Sequence, residues 1–162
     1  MENKSSAGVR FDMSSREMIS ERPASPAKLP TELRPASVTV VICCHNSAAR
    51  LPETLRHLAQ QKVPPELLWE ILVIDNVSTD DTLAVINHFS SQHPNIAIRV
   101  VNEPQLGTGY ARRRGIGEAL HDIIFFVDDD NWLAPDYLAI LVDSMKQHPE
   151  IAVLGGMSTA DV

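Results

Sequence analysis

The sequence predicts an α/β fold, a mainly parallel sheet held between helices in three layers. Two observations carry this. Short apolar, β-branched runs alternate with helix-patterned segments, and most of the runs end in a polar cluster. Continuous apolar runs of this length suit strands buried on both faces. Their alternation with helices implies right-handed crossovers and a sheet covered on both sides.

The elements follow in order. Residues 1–36 hold Ser, Pro, Ala and charges without period and read as a disordered or loosely attached tail. From Ser37 the texture changes, and Val38 to Cys43 reads as the first strand. Asn46-Ser47 is a candidate cap for a helix from near Ala48 to about Gln61, with Leu51, Leu55 and Leu58 on one face. Pro64-Pro65 breaks the chain. Trp69 to Ile74 is the second strand, ending at Asp75-Asn76. A helix starting at Asp80-Asp81 runs through Leu83, Ile86 and Phe89. Asn95 to Val101 is the third strand, Gly107 to Leu120 a loop and helix, Ile123 to Val127 the fourth strand, and Pro135 to Gln147 a helix. Ile151 to Leu154 is expected to begin a fifth strand inside the sheet, its uncovered apolar edge open to association with another chain. Residues 37–162 thus read as one domain.

Composition excludes several classes. A net charge of −7 does not suggest nucleic-acid binding. The two cysteines, Cys43 and Cys44, are adjacent, and neighbours on a strand face opposite ways. No disulfide framework or zinc spacing is present, which points to a reducing, cytoplasmic compartment. No apolar run approaches the roughly 20 residues of a membrane span, and no signal-peptide core is visible.

The chemistry gathers at the expected carboxyl ends of the strands: Cys44-His45-Asn46, Asp75-Asn76, Asn102-Glu103 and Asp128-Asp129-Asp130. In an open α/β sheet, ligands bind along that edge. The acidic triplet admits two readings. Carboxylates suit Mg²⁺ or Mn²⁺, which often share their shell with substrate phosphates. Alternatively, Asp130 or Asn131 caps the following helix. In Asp75 to Thr82, capping by Ser78 or Thr79 accounts for Ser78 to Asp81 but leaves Asp75 unexplained. Gly107 to Gly115 is a poor dinucleotide fingerprint, because its third glycine is misplaced and it does not follow the first strand. Of Arg112, Arg113 and Arg114, at most one or two can face a diphosphate from one helix. His45 is the one histidine at a strand end.

Together these strings resemble the nucleotide-binding half of family 2 glycosyltransferases, over about residues 37–160. Cys43-Cys44-His45-Asn46 stands where the family has a Pro-Thr-Tyr-Asn-like turn, with only Asn46 matching strictly. Asp75-Asn76-Val77-Ser78-Thr79-Asp80-Asp81-Thr82 fits its Asp-(Asp/Asn)-x-Ser-x-Asp-x-Thr pattern. Asn102, Gly107, Ala111, Arg112 and Gly115 meet the next segment, with Arg113 replacing the usual Asn. Asp128-Asp129-Asp130, followed by Pro135-Asp136, meets the Asp-x-Asp signature.

The resemblance implies a GT-A, Rossmann-like nucleotide-binding fold and a metal-dependent, inverting sugar transfer. The donor is a nucleoside-diphosphate sugar, with UDP-sugars favoured. The acceptor is a polysaccharide, a lipid-linked saccharide or another glycoconjugate, as in cell-wall or polysaccharide biosynthesis. Asp75 and Asn76 would contact the base, and Asp128 or Asp129 the ribose. Cys44, His45, Asn46 and Arg112 would line the donor site. Asp130, with Asp128, would ligate Mn²⁺ or Mg²⁺. The family's general base lies downstream, so the resemblance places it beyond Val162, with any membrane-associated segments. The chain then reads as truncated: the donor half of an enzyme, or a non-catalytic nucleotide-sugar-binding remnant or partner subunit. A sugar nucleotidyltransferase would need a Gly-rich loop after the first strand, and Cys43 to Ser47 contains no glycine.

Overall fold

Residues 37–156 are described by the computed structural model; the expected tail over 1–36 lies outside the described residues, as do residues 157–162. The elements are β1 (Ser37–Cys44), α1 (Leu51–Ala59), β2 (Leu68–Asp75), α2 (Thr82–Gln92), β3 (Ala97–Asn102), α3 (Thr108–Glu118), β4 (Ile123–Val127) and α4 (Tyr137–Gln147). The four strands are parallel, in the order β3-β2-β1-β4. In register, Cys44 lies opposite Asp75, Asp75 opposite Asn102, and Ile42 opposite Val127. The carboxyl ends of all four strands therefore meet along one edge.

Side-chain alternation sorts the core into two layers. Val38, Val40, Ile42 and Cys44 of β1, with Ile71 and Val73 of β2, face Leu51, Leu55 and Leu58 of α1, Ile86 and Phe89 of α2, and Leu138, Leu141 and Val142 of α4. Val41, Leu72 and Ile74 face the other way, onto Ala111 of α3. The three-layer arrangement is the expected one.

α3 can lie close to the sheet because its buried residues, Ala111 and Gly115, are small and spaced i, i+4. A Cβ added at Gly115 would come within 2.5 Å of Val41 Cγ1 and 3.6 Å of Ile74 Cγ1 and Phe126 Cε1. The far end of α3 is held by a buried polar network. Arg99 pairs with Glu70 at 2.7 Å, Thr39 donates to Glu70 at 2.9 Å, and Arg99 also donates to the Glu118 carbonyl at 2.7 Å. Burial works against the Glu70 charge, but the bonds from Arg99 and Thr39 outweigh it and hold the carboxyl below its ordinary range.

Three expectations are corrected. Ile151 to Leu154 is not a strand: the Ile151 amide bonds back to the His148 carbonyl at 3.0 Å, and Val153 is 87% exposed. A short apolar run becomes a strand only where a sheet edge receives it, and the open edge at that end of the described sheet belongs to β4. The helices also start later than their polar residues suggest. α1 begins at Leu51 after an uncapped Arg50, with Pro52 in its first turn. α2 begins at Thr82, not at Asp80, and neither Ser78 nor Thr79 caps it. Finally, the cap reading of the acidic triplet fails, since α4 starts only at Tyr137, well past Asp130 and Asn131.

Gly115→Ala should lower stability in denaturant melts by about 1–3 kcal/mol, the cost of overpacking. Gly117→Ala, on the same helix with nothing within 4 Å of its added Cβ, should raise it by about 0.5–1 kcal/mol. Glu70→Gln should cost about 1–3 kcal/mol at neutral pH, because it leaves Arg99 without its counter-charge. A carboxyl held low in the folded state stabilises fully above its unfolded value, and that contribution disappears as pH falls through the folded one. The variant should therefore lose less stability than the wild type on acidification below the ordinary carboxylate range.

Candidate functional site

The winding reverses at β1: β2 and β3 lie to one side and β4 to the other. Such a switch point leaves a crevice at the carboxyl edge. A cleft of about 320 Å³ opens there, lined by Cys43, Cys44, His45, Arg50, Asn76, Thr108, Ala111, Asp128, Asp129 and Asp130. Six of the expected site residues thus meet at the cleft: Cys44, His45, Asn76, Asp128, Asp129 and Asp130. Asn46, Asp75 and Arg112 are not among its lining residues: Asn46 and Arg112 are exposed, and Asp75 is buried at the end of β2. Arg50 and Thr108 were not foreseen; a lone Arg before a helix and a Thr after a glycine carry no distinctive pattern.

The three acids have different surroundings. Asp128 is exposed and loosely paired with Arg112 at 3.5 Å. Asp129 is largely enclosed, paired with Arg50 at 2.7 Å and bonded by the Ser47 hydroxyl. Asp130 is exposed and has no side-chain partner among the described residues. The Asn131 amide bonds the Asp128 carbonyl at 3.2 Å, closing the turn that carries them.

The loop after β1 and the loop after β2 are latched together. The Asn46 amide bonds Ser78 Oγ at 3.0 Å, and Asn46 Oδ1 accepts the Thr79 amide at 2.8 Å. Ser47 N–H bonds Thr82 Oγ1 at 2.8 Å and Ala48 N–H bonds Asp80 Oδ2 at 3.0 Å. The Thr82 hydroxyl, with help from backbone amides, holds the Asp80 carboxyl below its ordinary range. Two residues here take the left-handed conformation, Asn46 at φ 51° and Val77 at φ 60°. Asn tolerates it, but for a β-branched residue it is strained.

Asn76 is a positioning residue in this geometry. Its amide accepts from the Gly107 N–H at 2.7 Å and donates to the carbonyls of Glu103 at 2.9 Å and Gln105 at 2.7 Å. Gly107, at φ 138°, has a backbone that only glycine adopts readily. Asp75 is buried, and one of its oxygens accepts the Ser78 amide at 3.3 Å. His45 Nδ1 lies 2.7 Å from the Asn76 carbonyl. A carbonyl only accepts, so Nδ1 donates to it. Burial pushes the Cys44 thiol up to about 12 and the Cys43 thiol to about 11, so both stay protonated at neutral pH. Cys44 is then a neutral wall of the cleft and not a nucleophile.

The chain matches glycosyl transferase family 2 over residues 39–161. It is 32% identical over 117 residues to the glycosyltransferase YfnE of Bacillus subtilis, covering 72% of this chain and 29% of that protein. A poly(ribitol-phosphate) beta-glucosyltransferase of Bacillus spizizenii is 30% identical over 120 residues, covering 73% and 18%. Among solved structures, S. aureus TarS 1–349 in complex with UDP aligns with a TM-score of 0.62 and 25% identity, covering 70% of this chain and 33% of that one. The mannosyltransferase PcManGT of Pyrobaculum calidifontis, in complex with GDP-Man and Mn²⁺, gives 0.61 and 29%, covering 73% and 36%. The chain spans between 18% and 36% of the length of these proteins. The sheet order, the paired loops and the acidic turn at the switch point thus occur in a chain that belongs to glycosyltransferase family 2 and has its GT-A fold.

Proposed function

We propose that residues 37–162 are the donor-binding part of a metal-dependent, inverting glycosyltransferase that moves a sugar from a nucleoside diphosphate to a polysaccharide, lipid-linked or glycoconjugate acceptor. The observation that carries this reading is the cleft at the switch point, with Asp130 exposed and unpartnered at its rim. Support also comes from two similar proteins, one solved in complex with UDP and the other with GDP-Man and Mn²⁺.

The donor set fits a hard divalent cation that completes its shell elsewhere. No group of three or more His, Cys, Asp or Glu residues converges among the described residues. Asp130 and Asp128 offer one or two carboxylates, which is the share a protein gives to Mg²⁺ or Mn²⁺ held together with phosphates. Such an ion, when bound, would stabilise the charge that builds on the leaving diphosphate.

The chain's own residues do the rest. In this reading the buried Asp75 contacts the base, with Asn76 and His45 shaping its pocket, and Asp128 reaches the ribose. Arg112, held only loosely by Asp128, is free to turn to a phosphate. The acceptor hydroxyl attacks the anomeric carbon as the sugar–phosphate bond breaks, and the electron pair leaves on the diphosphate. The hydroxyl proton passes to a carboxylate base, as the resemblance to family 2 implies. Glu103 is a poor candidate, being buried with its carboxylate bonded to the Gln105 amide at 2.9 Å. UDP is the first donor nucleotide to test. A cytoplasmic location agrees with two free cysteines in the described region. No helix among the described residues is long and apolar enough to cross a membrane.

Calorimetry with UDP and GDP, with and without Mn²⁺, tests the reading. The wild type should bind one of them, and bind it more tightly with Mn²⁺. Asp130→Ala should remove that Mn²⁺ increment while changing stability by no more than about 0.5 kcal/mol, as an exposed side chain without partners predicts. Equal nucleotide affinity in variant and wild type at saturating Mn²⁺ would refute the assignment.

A further inference from the structure

We propose that Asp129 is a positioning residue and not a ligand: it locks the acidic turn to the start of α1, so that Asp128 and Asp130 are the carboxylates presented to the donor. The inference rests on the donor-site reading above and assigns the middle acid a role different from ribose contact.

Four bonds define the lock, and all their donors come from one place. The Ser47 hydroxyl and the Arg50 guanidinium bond the Asp129 carboxylate, Arg50 through Nη2 at 2.7 Å and Nε at 3.4 Å. The Thr54 hydroxyl donates to the Asp129 backbone carbonyl at 2.9 Å. Ser47, Arg50 and Thr54 all belong to the loop before α1 or to its first turns. Ser47 and Thr54 are fully buried, so they form a fixed anchor.

Accessibility and charge agree. The Asp129 side chain is only 14% exposed, against 63% for Asp128. A carboxylate accepts at about four lone-pair sites, and three here are taken by Ser47 and Arg50. A guanidinium at 2.7 Å also cancels most of the attraction it could offer a cation. Asp128 and Asp130 flank this fixed point. With Val127 buried on one side and Asp129 tied down in the middle, the turn has little freedom to fold either neighbour away from the cleft.

The lock also reaches beyond the turn. The Ser47 hydroxyl accepts the His45 amide at 3.2 Å, and the Ser47 amide bonds Thr82. The loops after β1, β2 and β4 are therefore joined through one serine. Groups that orient ligating carboxylates typically change metal affinity by about 10- to 100-fold when removed.

Thr54 gives the cleanest test, because it does not line the cleft. The experiment measures the Mn²⁺ concentration for half-maximal binding of UDP, or of GDP should the wild type bind that instead, well below the melting temperature of each variant. Asp129→Ala should raise that concentration by about 10- to 100-fold. Ser47→Ala and Thr54→Val should raise it in the same direction, and Thr54→Ser, which keeps the hydroxyl, should restore the wild-type value. Excess Mn²⁺ should rescue all three weakened variants but not Asp130→Ala. A fall in melting temperature with unchanged Mn²⁺ dependence would overturn the proposal and leave only a structural role. Loss of Mn²⁺ dependence in Asp129→Ala, with Ser47→Ala and Thr54→Val unaffected, would overturn it by making Asp129 a direct ligand. Should the wild type bind neither nucleotide, the donor-site reading fails first and this inference falls with it.

Discussion

Everything in this domain depends on β1 being paired along both of its edges. β2 takes one edge and β4 the other, in parallel register over most of the strand. Val38, Val40, Val41 and Ile42 are wholly buried, so the strand has no face to spare. The chain therefore winds away from β1 in one direction through β2 and β3 and returns to its other side with β4. That reversal separates two crossover loops and opens the cleft between them. The acids at the end of β4 meet the loop after β1 because of this winding, although some 80 residues separate them in sequence.

The eight-residue string from Asp75 to Thr82 is best understood as joinery. Ser78, Thr79, Asp80 and Thr82 each bond a residue in the Asn46–Ala48 loop. Asp75, at its start, instead accepts the Ser78 amide within the string, at 3.3 Å. The two loops are polar, and these bonds join them across the gap. Asn76 does the same for the next crossover by gripping Glu103, Gln105 and Gly107.

Much of this was legible from the amino-acid order. The run from Ile123 to Val127 gives β4 without error, because five apolar residues between an Asp and an acidic turn leave no other period. The family motifs also located the acidic turn and the loops around it. Four features were not legible, each for a physical reason. Ser47, Asp80 and their neighbours have the chemistry of helix caps, but Asp80 splits its carboxylate between Thr82 and the other loop, and sequence does not record which partner a polar group chooses. Ile151 to Leu154 has the composition of a strand, but composition does not record whether a run pairs with the open edge of β4. The separate environments of Asp128, Asp129 and Asp130 arise from Arg50 and Arg112, whose approach depends on the sheet order. The Thr39–Glu70–Arg99 network was missed for the same reason: its members come from three strands and look like ordinary surface residues in sequence.

Val77 says something about how this site is assembled. A β-branched residue at φ 60° costs about 1–3 kcal/mol that its own loop cannot recover. The compensation comes from the Asn46, Ser78 and Thr79 bonds, and these exist only once β1 and β2 are side by side. The sheet must therefore form before the loop can hold its shape. An edge whose shape depends on the pairing beneath it should open more readily than the sheet itself. In hydrogen exchange, the amides of Ser78 and Thr79 would then run ahead of those of β1.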